Sequence, residues 1–282
     1  MFFPISDDNP SNSSPLITFM LIGLCLFVFF LQILSEMNPA IYYNFGFIAS
    51  NFFNSESFIG SLIPIITSMF VHGGFAHIIG NLLYLWIFGD NVEDSMGRIR
   101  FIIFYFLCGA SGAILQGAVD PTSDVPMVGA SGAIAGVLGA YLLLFPRANV
   151  RCLIFIIIFI QMIRVPAFLV LGIWILGQFF SLPGSLDSSG GTAYFAHIGG
   201  FLAGMILIPF FKKTNVRLLQ HKNSLAWETE SGFNFSQKKS KLKNNDFLEL
   251  NIHLSFDNFR FYNKWLKTLK DVNKVMSKNS MR

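Results

Sequence analysis

Four polar side chains in otherwise apolar surroundings could together carry out acyl transfer. Ser131 lies in the run VGASGAIAGVLGA, His197 in AHIGGFLAG, and His77 and Asn81 in HGGFAHIIGN. A serine hydroxyl is a poor nucleophile until a hydrogen-bonded imidazole removes its proton. No Asp or Glu occurs in these three apolar runs. The sequence therefore predicts a dyad, with Ser131 as nucleophile and His197 as general base, rather than an aspartate-assisted triad.

His77 and Asn81 have the spacing of an anion-binding pair. Four residues apart, they would lie on one face of a helix, and each can donate a hydrogen bond. His72 is rotated off that face and is expected where the helix meets an external loop, in a supporting role. A plain hydrogen bond between helices, worth about 0.6–2 kcal/mol, is the alternative interpretation of each residue.

Small residues surround Ser131 and favour close helix packing. Ser131 is expected in the first turn of a helix, where unpaired backbone N–H groups, its own included, and the helix dipole can stabilise an oxyanion. Read alone, the GASG motif indicates only that two helices approach closely. Gly129 and Gly132 are the supporting glycines near the serine. Gly132 with Gly136 forms one seam of small-xxx-small spacing, and Gly200 with Gly204 forms another.

Composition places the chain in a membrane. Of 282 residues, 53% are hydrophobic and 13% charged, and the mean hydropathy is +0.55, which is more apolar surface than one soluble core can hold. Three cysteines, all in apolar runs, imply no disulfide framework. The first apolar run exceeds a signal-peptide core and follows residues without Lys or Arg, so it is predicted to be a retained span.

Six apolar runs are long enough to cross a hydrocarbon core of about 30 Å. Lys and Arg fall only in the second connection, the fourth connection and the region from Lys212 onward. The positive-inside rule then puts both termini in the cytoplasm of a multi-pass cell-membrane protein, in the plasma or inner membrane. The predicted fold is an all-α, six-helix bundle. Its spans are 16–34, 69–89, 99–118, 130–146, 165–181 and 193–211.

Three segments flank or interrupt this bundle. Residues 1–15 are predicted to be a short polar segment before a membrane domain at 16–211. Residues 152–163 are expected to pack as an apolar segment on the cytoplasmic face, because a span there would bury Arg164; the fifth span then begins at Val165–Pro166. The Gly- and Ser-rich connection 181–191 is a predicted lid.

Residues 212–282 form a basic cytoplasmic tail. Lys and Arg number 5 and acids 10 before residue 212, a charge of −5; the tail has 15 and 6, a charge of +9. Such a tail favours anionic inner-leaflet lipid over nucleic acid as a partner. Residues 248–256 alternate like a strand and 259–272 have helical spacing, which fits an interfacial helix or, equally, a loosely folded tail.

The candidate residues also share one depth. Ser131, His197 and His77 precede the charged residues Arg147, Lys212 and Asp90 by 16, 15 and 13 positions. At 1.5 Å per residue these spacings put all three side chains roughly 6–10 Å below the outer surface. The sequence therefore predicts one polar site, catalytic or purely structural, near the extracytoplasmic face.

Together these motifs resemble the rhomboid family over most of residues 60–211. They are MFVHGGFAHIIGNLLYLWIFGDNVED, GASGAIAG, a VPA start with Trp174, and AHIGGFLAG. The resemblance implies a six-helix serine protease that cleaves single-span or polytopic membrane proteins near their extracytoplasmic boundary, without metal or organic cofactor. It makes Ser131 the nucleophile, His197 the base, and His77, Asn81 and the Ser131 N–H the oxyanion donors.

One position departs from the family pattern. Some rhomboids have a Tyr four residues after the serine, against which the histidine stacks, and here that residue is Ala135. Two other functions stay open. One is a catalytically silent rhomboid-like adaptor or chaperone that binds transmembrane helices, and the other is a transporter or channel, against which the apolar inner halves of the spans argue.

Overall fold

A computed structural model describes residues 2–156, 159–186, 191–220 and 229–230 of the chain. All of them belong to the first of two compact units, Met1–Asn234. The second unit, Phe235–Arg282, lies outside the described residues. The predictions for 248–256, for 259–272 and for lipid binding by most of the tail therefore fall outside the part that the structure describes.

Helices dominate the described residues. The six predicted spans fall on α1 (Leu16–Leu34), α5 (Phe75–Met96), α6 (Arg98–Val119), α7 (Ser131–Leu144), α8 (Ala167–Leu186) and α9 (Tyr194–Phe211). Three short helices, α2 (Ala40–Phe45), α3 (Ala49–Phe53) and α4 (Phe58–Ser68), fill the first connection. The largest shifts are at α5, which begins six residues after the predicted start of its span, where Gly73 and Gly74 precede it, and ends seven residues after the predicted end.

Length and composition allow three of these helices to cross a membrane: α1, α6 and α9. Residues Ser131–Leu144 and Ala167–Pro183 form shorter apolar helices, and α5 carries Asp90, Glu93 and Asp94 near its end. The outer face of α1 leaves Phe27 58% and Leu34 64% exposed, which suits contact with lipid rather than water. The chain is thus a mostly helical membrane protein, and crossing by all six helices stays a prediction.

The predicted glycine seams meet each other in the packing of α7 against α9. A Cβ on Gly200 would overlap the carbonyl oxygen of Gly132, and a Cβ on Gly204 would overlap that of Gly136. Backbone touches backbone along this line, because neither helix presents a side chain there. The prediction of close packing from the small-residue spacing is confirmed, and it brings the helices of Ser131 and His197 together.

The all-α prediction is wrong at one end of the bundle. Strands β1 (Phe2–Asp7), β2 (Asn149–Ile156), β3 (Phe159–Pro166) and β4 (Thr229–Glu230) form a sheet in the order β1-β2-β3-β4, with each pair antiparallel. Strands β2 and β3 pair as the two arms of a β-hairpin, in which Asn149 pairs with Pro166 and Cys152 with Ile163. Isoleucine-rich, β-branched sequence favours strands, and pairing between the strands satisfies their backbone N–H and C=O groups.

Two boundary predictions are corrected with it. Residues 1–15 are not merely a polar segment, since Phe2–Asp7 adds an edge strand to β2. Pro166 ends β3 instead of starting a helix, and α8 begins at Ala167. The predicted lid at 181–191 is also different, because α8 continues to Leu186 with Pro183 inside it. Residues 187–190 of that segment lie outside the description.

Polar contacts fasten the N-terminal segment to the helix ends. The Asp8 carboxylate binds Arg151 at 2.7 Å and Arg164 at 3.2 Å, and the Tyr141 hydroxyl donates to Asp7 at 2.6 Å. Glu93, which is 1% exposed, accepts hydrogen bonds from the backbone N–H groups of Ile17 and Thr18. It thereby caps α1, whose own N-terminal residue Pro15 makes no side-chain cap.

Candidate active site

Ser131 stands at the first residue of α7, as the sequence predicted. Gly129, two residues earlier, has a φ of +117°, a conformation that favours glycine, and its N–H donates to the carbonyl of Ser68 at 2.8 Å. Ser131 is partly buried and lines a small cavity together with Gly129, Met69 and Ala196. The first N–H groups of α7 have no partner within the helix, so Ser131 lies beside backbone donors.

The His77 ring lies against the loop that leads to Ser131. A Cβ on Gly129 would stand 2.6 Å from Nε2 of His77, so the absence of a side chain at Gly129 makes room for the ring. The Gly73 N–H donates to Nδ1 of His77 at 3.3 Å. An Nδ1 that accepts a hydrogen bond is unprotonated in the neutral imidazole, so the proton is on Nε2. His77 therefore presents an N–H donor on the edge that faces Gly129.

Asn81 follows His77 by one turn of α5. Its side-chain nitrogen donates to the carbonyl of His77 at 2.8 Å, and the residue is 7% exposed. Its Oδ1 is buried without a partner in the described residues. One hydrogen of the NH₂ group bonds to this helix carbonyl, and the other is left to donate to a ligand.

His72 lies in the loop before α5 and is fully buried. Its ring packs edge-on against His77, with ring centroids 5.3 Å apart, and its Nδ1 is 3.1 Å from the carbonyl of Phe70. Gln32 of α1 clasps its backbone, since His72 N–H donates to Oε1 at 3.0 Å and Nε2 donates to the His72 carbonyl at 2.9 Å. Gln32 was missed by sequence reasoning, although a lone Gln in a 19-residue apolar helix was the available signal.

His197, in the first turn of α9, is buried and held by α8. Its Nδ1 lies 2.7 Å from Oε1 of Gln178, and the ring of Trp174 lies beside it with centroids 5.7 Å apart. The carbonyl of Ala196 packs against Gly112 of α6 and faces Gly132. Gln178 is the second residue that the sequence reasoning missed; it is a polar side chain inside the fifth apolar run.

The dyad partners lie on adjoining backbone segments but are not joined. Among the hydrogen bonds of residues 2–156, 159–186 and 191–220, none links Ser131 to His197, whose recorded partner is Gln178. The His77 ring lies against Gly129, and the carbonyl of Ala196, the residue before His197, faces Gly132, so both histidines belong to segments that meet around the start of α7. Hydrogen bonds between catalytic groups are often long before substrate binds.

Metal-ligand clusters are absent from the part of the chain that the structure describes. No group of three or more His, Cys, Asp or Glu side chains there is placed to hold a metal ion. The fold brings four predicted site residues to one end of the helices. They are His77 and Asn81 from α5, Ser131 from α7 and His197 from α9.

Comparison with known proteins adds relatives from yeast, bacteria and plants. Rhomboid protein 1, mitochondrial, of Saccharomyces cerevisiae is 28% identical over 178 residues, which cover 61% of this chain and 48% of the yeast protein. Rhomboid protease GluP of Bacillus subtilis is 34% identical over 133 residues, covering 46% and 25%. RHOMBOID-like protein 12, mitochondrial, of Arabidopsis thaliana is 31% identical over 194 residues, covering 62% and 54%.

The aligned parts cover about half, or less, of the length of these relatives. The Rhomboid domain itself matches residues 60–214, which include α5 to α9 and all four predicted site residues. This match extends over more than half of the chain. The protein belongs to the rhomboid family.

Proposed function

We propose that the chain is an intramembrane serine endopeptidase that uses a dyad of Ser131 and His197. The observation that carries the proposal is the complementary polarity of two imidazoles around the start of α7. His77 accepts at Nδ1 and so presents an Nε2–H donor toward Gly129. His197 has its Nδ1 occupied by Gln178, whose Oε1 only accepts, so its Nε2 has a free lone pair. One ring can stabilise an anion and the other can take a proton.

The reaction begins with proton transfer from the Ser131 hydroxyl to Nε2 of His197. Oγ attacks a peptide carbonyl, and the negative charge that develops on its oxygen is met by the Ser131 N–H, the Nε2–H of His77 and the amide of Asn81. His197 then donates its proton to the leaving amine, which departs as the C–N bond breaks. Water, deprotonated by the same histidine, attacks the acyl-enzyme and restores the hydroxyl of Ser131.

The family resemblance and the position of the site among apolar helices support a class of substrate. We propose single-span or polytopic membrane proteins, cut near their extracytoplasmic boundary after local unwinding of the scissile helix. Six membrane crossings by residues 16–211, cytoplasmic termini and a cytoplasmic region 212–282 that contacts anionic lipid complete the proposal. We place the protein in a cell membrane. Two of the compared relatives have mitochondrial names, so finding this protein in a mitochondrial membrane would contradict that placement.

Cleavage by purified Ser131→Ala protein in proteoliposomes with a single-span test protein is the direct test. We expect activity to fall to background, because removing the nucleophilic serine removes covalent catalysis. Ser111→Ala is the matched control, since the Ser111 hydroxyl only donates to the Leu107 carbonyl of its own helix at 2.8 Å. Equal cleavage by Ser131→Ala and wild-type protein would reject the assignment.

One observation favours a second candidate, a helix-binding adaptor without activity. Within the described residues Ser131 and His197 are not hydrogen-bonded, whereas an active dyad must reach bonding distance during the reaction. A fluorophosphonate probe distinguishes the two. Labelling at Ser131 that requires His197 supports the protease, and absence of labelling together with retained binding of a transmembrane peptide supports the adaptor.

A further inference from the structure

We propose that Gln178 is the positioning residue for the general base, fixing the tautomer and the orientation of His197. This inference rests on the proposed function and names a residue that the dyad requires beyond Ser131 and His197. It answers the question raised by Ala135, where the chain lacks a ring that could support the histidine.

The direction of the hydrogen bond follows from a chain of contacts on α8. The side-chain nitrogen of Gln178 donates to the carbonyl of Trp174, one turn earlier, at 3.1 Å. A carbonyl can only accept, so this contact fixes which end of the amide is nitrogen and turns Oε1 toward His197. Oε1 also only accepts, and at 2.7 Å the hydrogen between it and the imidazole belongs to Nδ1. The Nε2 lone pair is then free for the serine proton.

Further contacts from α6, α8 and α9 hold the imidazole and the backbone beside it. The Trp174 ring lies beside it at a tilt of 35°, and Tyr194 stands edge-on with centroids 6.3 Å apart. Gln116 of α6 accepts from the N–H of Ala196 at 3.3 Å, which fixes the backbone just before the histidine. These contacts restrict the plane of the imidazole ring but do not distinguish its two nitrogens. The hydrogen bond between Nδ1 and Gln178 does.

A neutral acceptor is a physically sensible choice at this position. A buried carboxylate would stabilise the imidazolium more strongly, but it would add a charge inside apolar helices, which is costly to desolvate. An amide oxygen selects the same tautomer without that charge. The titratable groups that face His197 in the described part of the chain are His77 on α5 and Tyr194 on α9, so no carboxylate there already fills the role.

The test compares Gln178→Leu and Gln178→Glu in the full-length protein in proteoliposomes. Gln178→Leu removes the acceptor at similar volume, and we expect kcat to fall at least about 10- to 100-fold with KM nearly unchanged, the loss typical when a group that orients a metal-binding histidine is removed. Gln178→Glu keeps an acceptor and should recover most of that loss. Because its carboxylate favours the protonated imidazole, the acid limb of its pH–rate profile should move to higher pH. Gln161→Leu, at an exposed position of β3, is the matched control.

Histidine ¹⁵N spectra provide a readout that does not depend on turnover. The wild-type protein should show His197 protonated at Nδ1, and Gln178→Leu should show a mixture of tautomers while its thermal unfolding stays close to wild type. Wild-type kcat in Gln178→Leu, or an unchanged Nδ1 signal, would overturn the inference while leaving the dyad in place if Ser131→Ala is inactive. An active Ser131→Ala protein would instead reject the proposed function itself.

Discussion

Gly200 of α9 packs directly on the backbone carbonyl of Gly132 in α7, with no side chain between the two helices. Ser131 immediately precedes Gly132, and His197 lies three residues before Gly200 on the adjoining helix. The spacing of the two backbones near the proposed dyad therefore depends on the absence of a side chain at Gly200. A methyl group there must push the helices apart, whereas one on Gly132 would stand 3.5 Å or more from its neighbours.

Gly200→Ala should for this reason lower both stability and activity. Overpacking of a tight contact costs about 1–3 kcal/mol in the free energy of unfolding, and here the neighbouring atom is rigid backbone. Unfolding in mixed micelles measures the loss. Gly23→Ala, where nothing lies within 4 Å of the added carbon, should change the free energy by less than about 1 kcal/mol. Equal stability of the two variants would contradict the packing argument.

Gly129→Ala should lower activity through the position of the His77 ring. The positive φ of Gly129 costs an alanine about 1–3 kcal/mol, and the new Cβ would displace the His77 ring from its present position. We expect cleavage to fall at least about 100-fold, the cost of one lost oxyanion donor. Gly80→Ala, on α5 with open space around it, is the control. Normal cleavage by Gly129→Ala would show that the ring position is not needed.

His77→Ala tests the oxyanion role directly. Removal of one donor should lower kcat about 10²- to 10³-fold with little change in KM, because the donor acts on charge that exists only in the transition state. Initial rates over a range of substrate mole fractions in liposomes separate the two constants. A rise in KM at constant kcat would instead identify His77 as a residue that binds the substrate.

Glu93→Ala should destabilise the protein without altering its chemistry. The carboxylate accepts from Ile17 N–H at 3.0 Å and from both the N–H and the hydroxyl of Thr18 at 2.8 Å, so its removal leaves buried donors unpaired. We expect a loss of about 3 kcal/mol in the free energy of unfolding. His77 lies 16 residues away on the same helix, about 24 Å along it. The kcat of the folded fraction should therefore match wild type, and a large fall in kcat would contradict this separation.

Much of the helical framework was predictable because the apolar runs are long and their polar residues few. The position of Ser131 in the first turn of α7 and the existence of two glycine seams were predictable, since small residues every four positions leave a flat helix face. That these two seams pack on each other was shown only by the structure. The hairpin at 149–166 was not predictable in the same way. An apolar run without periodicity fits a buried strand as well as a helix, and the choice depends on partners distant in sequence.

The sequence by itself determined the membrane character of the protein, its family, and which polar side chains are set among apolar residues, because those properties depend on residue type and local spacing. Only the tertiary structure decided how His197 and His72 are held. Gln178 reaches His197 from 19 residues away, and Gln32 clasps His72 from 40. A hydrogen bond depends on distance and direction between atoms of separate helices, and no local pattern in the chain encodes that geometry.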